Sequence, residues 1–286
     1  MDFKKSLNVF FAVDKSFLTH FTVTITSLLE NNKDLNVTIY IVHDIADTSG
    51  LQKIIDFISI KYSVSVISIF VDNSIFNNFQ VVHYISKATY FRFLFADILP
   101  QNISSGLYLD CDIIITGSLT EILNSSFIDK NKGECGLLAV SDKGEKVEIE
   151  RLKNTLSIET DMYFNAGVMF INLNKWREDK AANELINIAE KYKDQLVWSD
   201  QDVLNIYFKN KCGKLDSTYN MFTNKILNET PIIIHFSGSS KPWHFLNNHP
   251  YKSHYWKYLN LTPFKNEKFE NVTFKKVIKK YILAFK

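Results

Sequence analysis

Two aspartates two residues apart, Asp110 and Asp112, stand inside one of the most apolar stretches of the chain, Leu107-Tyr-Leu-Asp-Cys-Asp-Ile-Ile-Ile115. The run from Leu107 to Ile115 reads as a buried strand, in which residues i and i+2 share a face, so both carboxylates converge on one spot. Burying two like charges together is costly unless a cation holds them. Carboxylate oxygens suit Mg²⁺ or Mn²⁺, and such sites usually share the ion with a substrate phosphate. The competing reading is a strand that ends in a polar turn, since Thr116, Gly117 and Ser118 follow and a bare D-x-D recurs by chance.

Three later segments also set polar groups beside apolar runs. In Tyr163-Phe-Asn-Ala-Gly-Val168, Asn165 can donate and accept, as recognition of a sugar hydroxyl requires, and Gly167 lets a ligand approach the backbone. An ordinary Asn-Ala-Gly turn is the alternative. In Trp198-Ser-Asp-Gln-Asp-Val203, Ser199 reads as an N-cap with Asp200 and Asp202 in the first helical turn, where the dipole favours acids. Capping gives no reason for Gln201. In Ile232-Ile-Ile-His-Phe-Ser-Gly-Ser-Ser-Lys241, a strand delivers His235, as a core histidine or as a ligand, to a loop of small residues with one lysine. Backbone amides near Gly238 and the charge of Lys241 suit a diphosphate. If His235 joins the aspartates, the mixed nitrogen and oxygen set shifts preference from Mg²⁺ towards Mn²⁺. Neither G-x-G-x-x-G after the first strand nor G-x-x-x-x-G-K-[ST] occurs, so a phosphate would rely on metal and side chains.

The elements that must position these groups alternate. Strands over 7–13, 37–42 and 64–71 are separated by helices over 22–30 and 51–62, and a further helix over 87–98 precedes the aspartate pair. This rhythm predicts an α/β fold with a mostly parallel sheet, whose ligands bind beyond the carboxyl ends of the strands, where Asp14 and the aspartate pair fall. The polar segment 143–162 reads as a lid or short helical insertion. With 286 residues, 46% hydrophobic, and 23 phenylalanines, the chain can bury one large core. Its apolar runs fall short of the ~18 residues of a membrane span, and 7–13 is too short for a secretory signal. Three cysteines without a C-x-x-C pair fit a reducing compartment, with Cys111 packing away from the carboxylates. A cytoplasmic location is therefore expected.

Within a net charge of +2, residues 264–286 carry +5 and the body −3. Phe274, Val277, Ile278, Tyr281, Ile282 and Phe285 share one helical face flanked by Lys275, Lys276, Lys279 and Lys280. The division expected is a catalytic domain over 1–260 and a basic amphipathic segment over 261–286 that lies on an anionic membrane surface. A terminal helix docked on the body is the alternative.

The ordered set Phe11-Ala-Val-Asp14, Ala88-Thr-Tyr-Phe-Arg92, Leu107-Tyr-Leu-Asp-Cys-Asp112, Phe164-Asn-Ala-Gly-Val168, Asp200-Gln-Asp-Val-Leu-Asn205 and His235-Phe-Ser-Gly-Ser-Ser-Lys-Pro-Trp-His244 resembles glycosyltransferase family 8. The likeness is in particular to bacterial lipopolysaccharide α-galactosyl- and α-glucosyltransferases. It implies a GT-A fold, a Rossmann-like architecture of nucleotide-diphospho-sugar transferases. It also implies transfer from UDP-galactose or UDP-glucose with retention of the α configuration. Asp110, Asp112 and His235 match Mn²⁺ ligands, with Mg²⁺ as the substitute. Asp14 falls where the family contacts uracil, and Phe17 where it stacks on that base. Arg92, Asp142, Asn165 and Asp200 match donor-sugar contacts; Gly238 and Lys241 match diphosphate contacts. Gln201 falls on the β side of the anomeric carbon. Because an amide is a poor nucleophile, front-face attack is the preferred route, with double displacement through Asp200 as the other. The implied acceptor is a growing lipopolysaccharide, lipooligosaccharide or related surface glycan, as glycolipid or oligosaccharide, met at the inner face of the bacterial cytoplasmic membrane. No nucleic-acid partner is expected. A self-glucosylating primer of the glycogenin type and a catalytically silent sugar-nucleotide-binding module are the rival readings.

Overall fold

The first strand, β1 (Ser6–Val13), sends Val9, Phe11 and Val13 into one apolar layer and Phe10 into another. Both its faces are covered, which is why the run is apolar almost throughout rather than alternating. The structure, a computed structural model, describes residues 4–81, 86–123, 135–222 and 231–276. β1 leads through a 3₁₀ turn (Lys15–Phe17) to α1 (Leu18–Asn31), β2 (Asn36–His43), α2 (Ser49–Tyr62) and β3 (Ser65–Phe70). A 3₁₀ stretch (Lys87–Leu94) and the short α3 (Phe95–Ile98) follow, then β4 (Ser105–Leu109), β5 (Ile113–Ile115) and β6 (Leu137–Ser141). The remainder is α4 (Glu145–Leu156), β7 (Phe164–Asn172), α5 (Leu173–Glu178), α6 (Ala181–Lys191), α7 (Asp200–Tyr207), β8 (Cys212–Lys214), β9 (Ile233–His235) and α8 (Lys252–Leu259).

Seven strands form one sheet in the order β3-β2-β1-β4-β7-β6-β8; β7 is antiparallel to its two neighbours and every other pair is parallel. The mostly parallel sheet expected from the alternation is thus present. α1 and α2 cover one face, and the 3₁₀ stretch with α3, α5, α6 and α7 covers the other. Because β7 runs against its neighbours, its first residues lie at the carboxyl ends of β1 and β4, the edge where such sheets bind ligands.

Residues 107–115 do not form the single strand expected. β4 stops at Leu109, and the three isoleucines of β5 pair antiparallel with β9 in a separate two-stranded ribbon. Asp110, Cys111 and Asp112 make the turn between the two sheets. The physical reason is lateral satisfaction. The Asp110 N–H still donates to Gly167 O at 2.9 Å, whereas Asp112 O accepts from Phe236 N at 3.0 Å. The free edge of β5 is closed by α1: Thr24 Oγ1 donates to Cys111 O and Ile113 O, Ile115 N donates to Ser27 Oγ, and Asn31 Nδ2 donates to Ile115 O. Buried polar side chains on α1 therefore act as the strand partner that the ribbon lacks.

The helix expected over 87–98 is mainly 3₁₀, becoming α-helical only at Phe95. The polar segment after β6 does hold a helix, α4. Beyond residue 260 the chain keeps packing on the body: Thr262 is buried, Phe269 meets Trp256 edge to face at 4.4 Å, and Glu270 N donates to Trp243 O at 2.9 Å. Phe274 is exposed, and the amphipathic face expected from Val277 onward lies outside the described residues. No helix among the described residues is long and apolar enough to cross a membrane.

Candidate functional site

A cavity of about 340 Å³ opens at the carboxyl edge of the large sheet and takes its walls from both sheets and from α4. At its floor, the ligand atoms of Asp110, Asp112 and His235 lie within 4.8 Å of one another. The expected convergence of the two carboxylates is met by the turn between sheets rather than by strand periodicity. His235 is 4% exposed; its Nε2 stands 3.3 Å from Asp112 Oδ1 and 3.9 Å from Asp110 Oδ2, while Nδ1 meets Asn220 Oδ1 at 2.9 Å. Two carboxylates facing one imidazole nitrogen whose opposite nitrogen is engaged is a donor set that fits a divalent cation. Lys241 Nζ donates to Asp112 Oδ2 and to Phe236 O. Burial alone would push the Asp112 carboxyl up, but Lys241 and His235 outweigh it and hold it well below the usual carboxylate range.

Gly167, expected to admit a ligand, lines the cavity and also makes room for His235. A Cβ at this position would stand 2.9 Å from His235 Nδ1 and from Asp110 Oδ2. The central strand position is therefore empty of side chain so that the imidazole can lie over it.

A second layer is organised by Arg92, 3% exposed on the 3₁₀ stretch. Its Nη2 donates to Asp110 Oδ1 and Thr89 Oγ1, both at 3.0 Å, its Nη1 donates to Ala166 O at 2.7 Å, and its Nε stands 3.2 Å from Asp200 Oδ2. The guanidinium also lies 4.3 Å from the Tyr108 ring centroid, and the Tyr108 hydroxyl donates to Asp110 Oδ1. One guanidinium thus ties an acid of the Asp110, Asp112 and His235 cluster to an acid of α7. Asp200, 3% exposed, accepts from Thr89 Oγ1 at 2.5 Å. Burial pushes its carboxyl up to about 6 against the opposing pull of Arg92 and Thr89. The hydroxyl of Ser199 makes no capping bond, so the expected N-cap at α7 is not formed by that side chain. Asp202 is fully buried and structural, accepting from Val197 N, Trp198 N, Tyr163 OH and Arg151.

The third group is an amide cluster. Asn165 Nδ2 donates to Asp142 Oδ2 and Gln201 Oε1, each at 3.2 Å, and Gln201 Oε1 also accepts from Ala166 N at 3.0 Å. Asp142 Oδ1 accepts from Gly144 N at 2.9 Å. Asp142, Asn165 and Gln201, from three elements, are thereby one hydrogen-bonded unit on the cavity wall. At the other end, Asp14 Oδ1 caps its 3₁₀ turn by accepting from Ser16 N and Phe17 N. Phe17 lines the cavity and meets the rings of His20 and Trp243 edge to face. Trp243 stacks on His20 at 3.5 Å, which anchors the loop carrying Gly238 and Lys241 against α1. Gly238 has φ 94°, a left-handed conformation that a side chain would strain.

Every residue that the resemblance matches to metal or donor contacts lines this one cavity, whereas Ser199 and Asp202 do not. Sequence reasoning missed Thr89 and Tyr108, although both fall inside quoted motifs. It also missed Asn220, whose only signal is a polar residue between Tyr219 and Met221, and the α4 residue Glu148, which accepts from the cavity-lining Trp198 indole N–H.

Comparison with known proteins places this geometry. The lipopolysaccharide 1,2-glucosyltransferase of Escherichia coli is 26% identical over 298 residues, spanning 98% of this chain and 84% of that protein. A putative glycosyltransferase of Haemophilus influenzae is 31% identical over 252 residues, spanning 84% of this chain and 74% of its own. Among solved structures, galactosyltransferase LgtC in complex with donor and acceptor sugar analogs superposes with a TM-score of 0.78 at 22% identity, covering 96% of this chain and 100% of that one. It therefore shares the GT-A-type fold. The model of the family described as glycosyl transferase family 8 matches residues 8–247, and the chain belongs to that family.

Proposed function

We propose that the protein is a retaining, Mn²⁺-dependent transferase that moves galactose or glucose from UDP-hexose to a growing lipopolysaccharide or related surface glycan. The observation that carries this reading is the meeting, in one cavity, of a two-carboxylate, one-imidazole cluster with an amide and carboxylate cluster able to grip sugar hydroxyls. The glucosyl and galactosyl activities named for the relatives bound the choice of sugar.

Asp110, Asp112 and His235 would hold the cation, which when bound supplies Lewis-acid neutralisation of a diphosphate leaving group. Lys241, already beside Asp112, adds a positive charge where that leaving group develops its own negative charge. Gly238 offers backbone N–H without side-chain hindrance. Asp14 and Phe17 stand at the uracil end. Asp142, Asn165, Arg92 and Asp200 shape the sugar end.

Gln201 has its oxygen occupied by Ala166 N and Asn165 Nδ2, which orients the amide without making it a nucleophile. Asp200, the carboxylate available for double displacement, is buried between Thr89 and Arg92. Its displacement from that clamp would leave Arg92 facing one acid fewer in a dry interior, a costly step. Attack of the acceptor hydroxyl on the same face as the departing diphosphate is the route this arrangement favours.

The test is a donor screen by UDP release with and without Mn²⁺, run on the wild type and on Asp110→Asn and Asp112→Asn. Metal-dependent release with one UDP-hexose, lost in both variants while each still unfolds cooperatively in chelator, is expected. Near-normal Mn²⁺-dependent turnover in either variant would refute the metal assignment.

A further inference from the structure

A backbone N–H can only donate, and this fixes the orientation of a buried chain of amides that ends at the metal cluster. Gly167 N donates to Asn165 Oδ1 at 3.1 Å, so the Asn165 oxygen lies on that side and its Nδ2 faces Asp142 and Gln201. Ala166 N fixes the Gln201 oxygen in the same way. Asn220 meets Asn165 Oδ1 at 2.9 Å and must present its Nδ2 there, which leaves its own oxygen facing His235 Nδ1 at 2.9 Å. An amide oxygen only accepts, so Nδ1 carries a proton, and Nε2 is the nitrogen that faces the two carboxylates and would ligate a cation. Asn220 is 1% exposed, on the turn after the 3₁₀ segment Ser217–Tyr219, so water does not compete for either of its bonds.

We propose that Asn220 is a positioning residue with two separable contacts. Its oxygen sets the His235 tautomer for the cation, and its Nδ2 holds the Asn165 amide in the orientation that reads the donor sugar. The inference rests on the metal and donor assignments made above, and it adds that one side chain couples them. Removing the carbonyl frees the imidazole to rotate or change tautomer. Replacing the amide by a carboxylate keeps an acceptor for Nδ1 but sets an oxygen against Asn165 Oδ1.

The experiment uses the full-length protein and reads Mn²⁺ affinity directly, by electron paramagnetic resonance of the free ion, without nucleotide. Asn220→Ala is expected to weaken Mn²⁺ binding about 10- to 100-fold, the usual effect of losing a partner behind a ligand. Asn220→Asp is expected to keep or strengthen Mn²⁺ binding and UDP binding while raising the KM for the sugar nucleotide. Mn²⁺ affinity unchanged in Asn220→Ala, or metal and sugar recognition lost together in Asn220→Asp, overturns the proposal. Nitrogen NMR of labelled histidine in the metal-free wild type requires no variant to fold. It should show His235 protonated at Nδ1, and a neutral ring protonated only at Nε2 overturns the assignment. If Asp112→Asn leaves Mn²⁺ binding intact, the metal reading beneath it fails instead, which separates the two failures.

Discussion

Gly167→Ala should damage the metal cluster through a single methyl group. The added carbon would lie 2.9 Å from His235 Nδ1 and from Asp110 Oδ2 and closer still to His235 Cε1, where unstrained contacts begin near 3.4 Å. Neither neighbour has an easy retreat. His235 is held in register with Ile113 and by Asn220, and Asp110 by Arg92 and Tyr108. Forcing one methyl into such a site costs about 1–3 kcal/mol, or roughly 2–4 °C of melting temperature for each kcal/mol in a chain of this size. The displaced ligand should also lower Mn²⁺ affinity by about 10- to 100-fold, as other disturbances of ligand orientation do. Gly117→Ala is the control, because a Cβ there meets nothing closer than 3.5 Å. Direct Mn²⁺ titration and thermal unfolding in chelator separate the two effects. A Gly167→Ala protein that binds Mn²⁺ within a factor of two of wild type would refute the steric argument.

Gln201→Ala should lose rate while its residual product keeps the α configuration by NMR; a glycosyl adduct trapped on Gln201, or a β-linked product from the wild type, would contradict the front-face route. Burial lowers the His20 pKa from 6.5 to about 3. The unfolded chain therefore takes up this proton first, and the stability held above pH 6.5 is lost as pH falls towards 3, by about 1.4 kcal/mol per unit at most. Urea unfolding from pH 7 to 4.5 should accordingly be less acid-sensitive in His20→Gln, and identical slopes would exclude His20 as the cause. Removing residues 272–286 should release the protein from anionic vesicles and spare sugar-nucleotide hydrolysis; co-sedimentation indifferent to the deletion or to salt would assign the tail a structural role.

Much of the site was legible because it is carried by short motifs at strand ends. The Asp110/Asp112 pair betrayed itself by charge in an apolar run, and His235 and Lys241 by a strand running into small residues. The error over 107–115 has a definite cause: periodicity reports burial, and both β4 and β5 are buried, so nothing in the pattern marks a change of sheet between them. That change depends on β9, more than a hundred residues away, and on hydroxyl and amide groups of α1 that read simply as helix. Asn220 was illegible for the same reason. Its meaning comes entirely from partners at 165 and 235, which no local pattern joins to it. The 3₁₀ form of 87–94 escaped because apolar spacing does not distinguish it from an α-helix over so short a run.

The placing of Asp110 and Asp112 in the turn between the sheets, with His235 in the ribbon, has a consequence for the protein's economy in the cell. A ribbon of two three-residue strands cannot stand alone in water, and β5 with β9 depends on α1 at one edge and on Met221 at the other. An ion held by Asp110, Asp112 and His235 would therefore also rivet the ribbon to the main sheet, and the loop bearing Lys241 grows from the end of that ribbon. Binding of this kind adds stability that rises with the logarithm of free metal. Manganese supply would then govern how long each molecule survives proteolysis as well as how fast it works, and scarcity of the ion would thin the enzyme population rather than merely idle it.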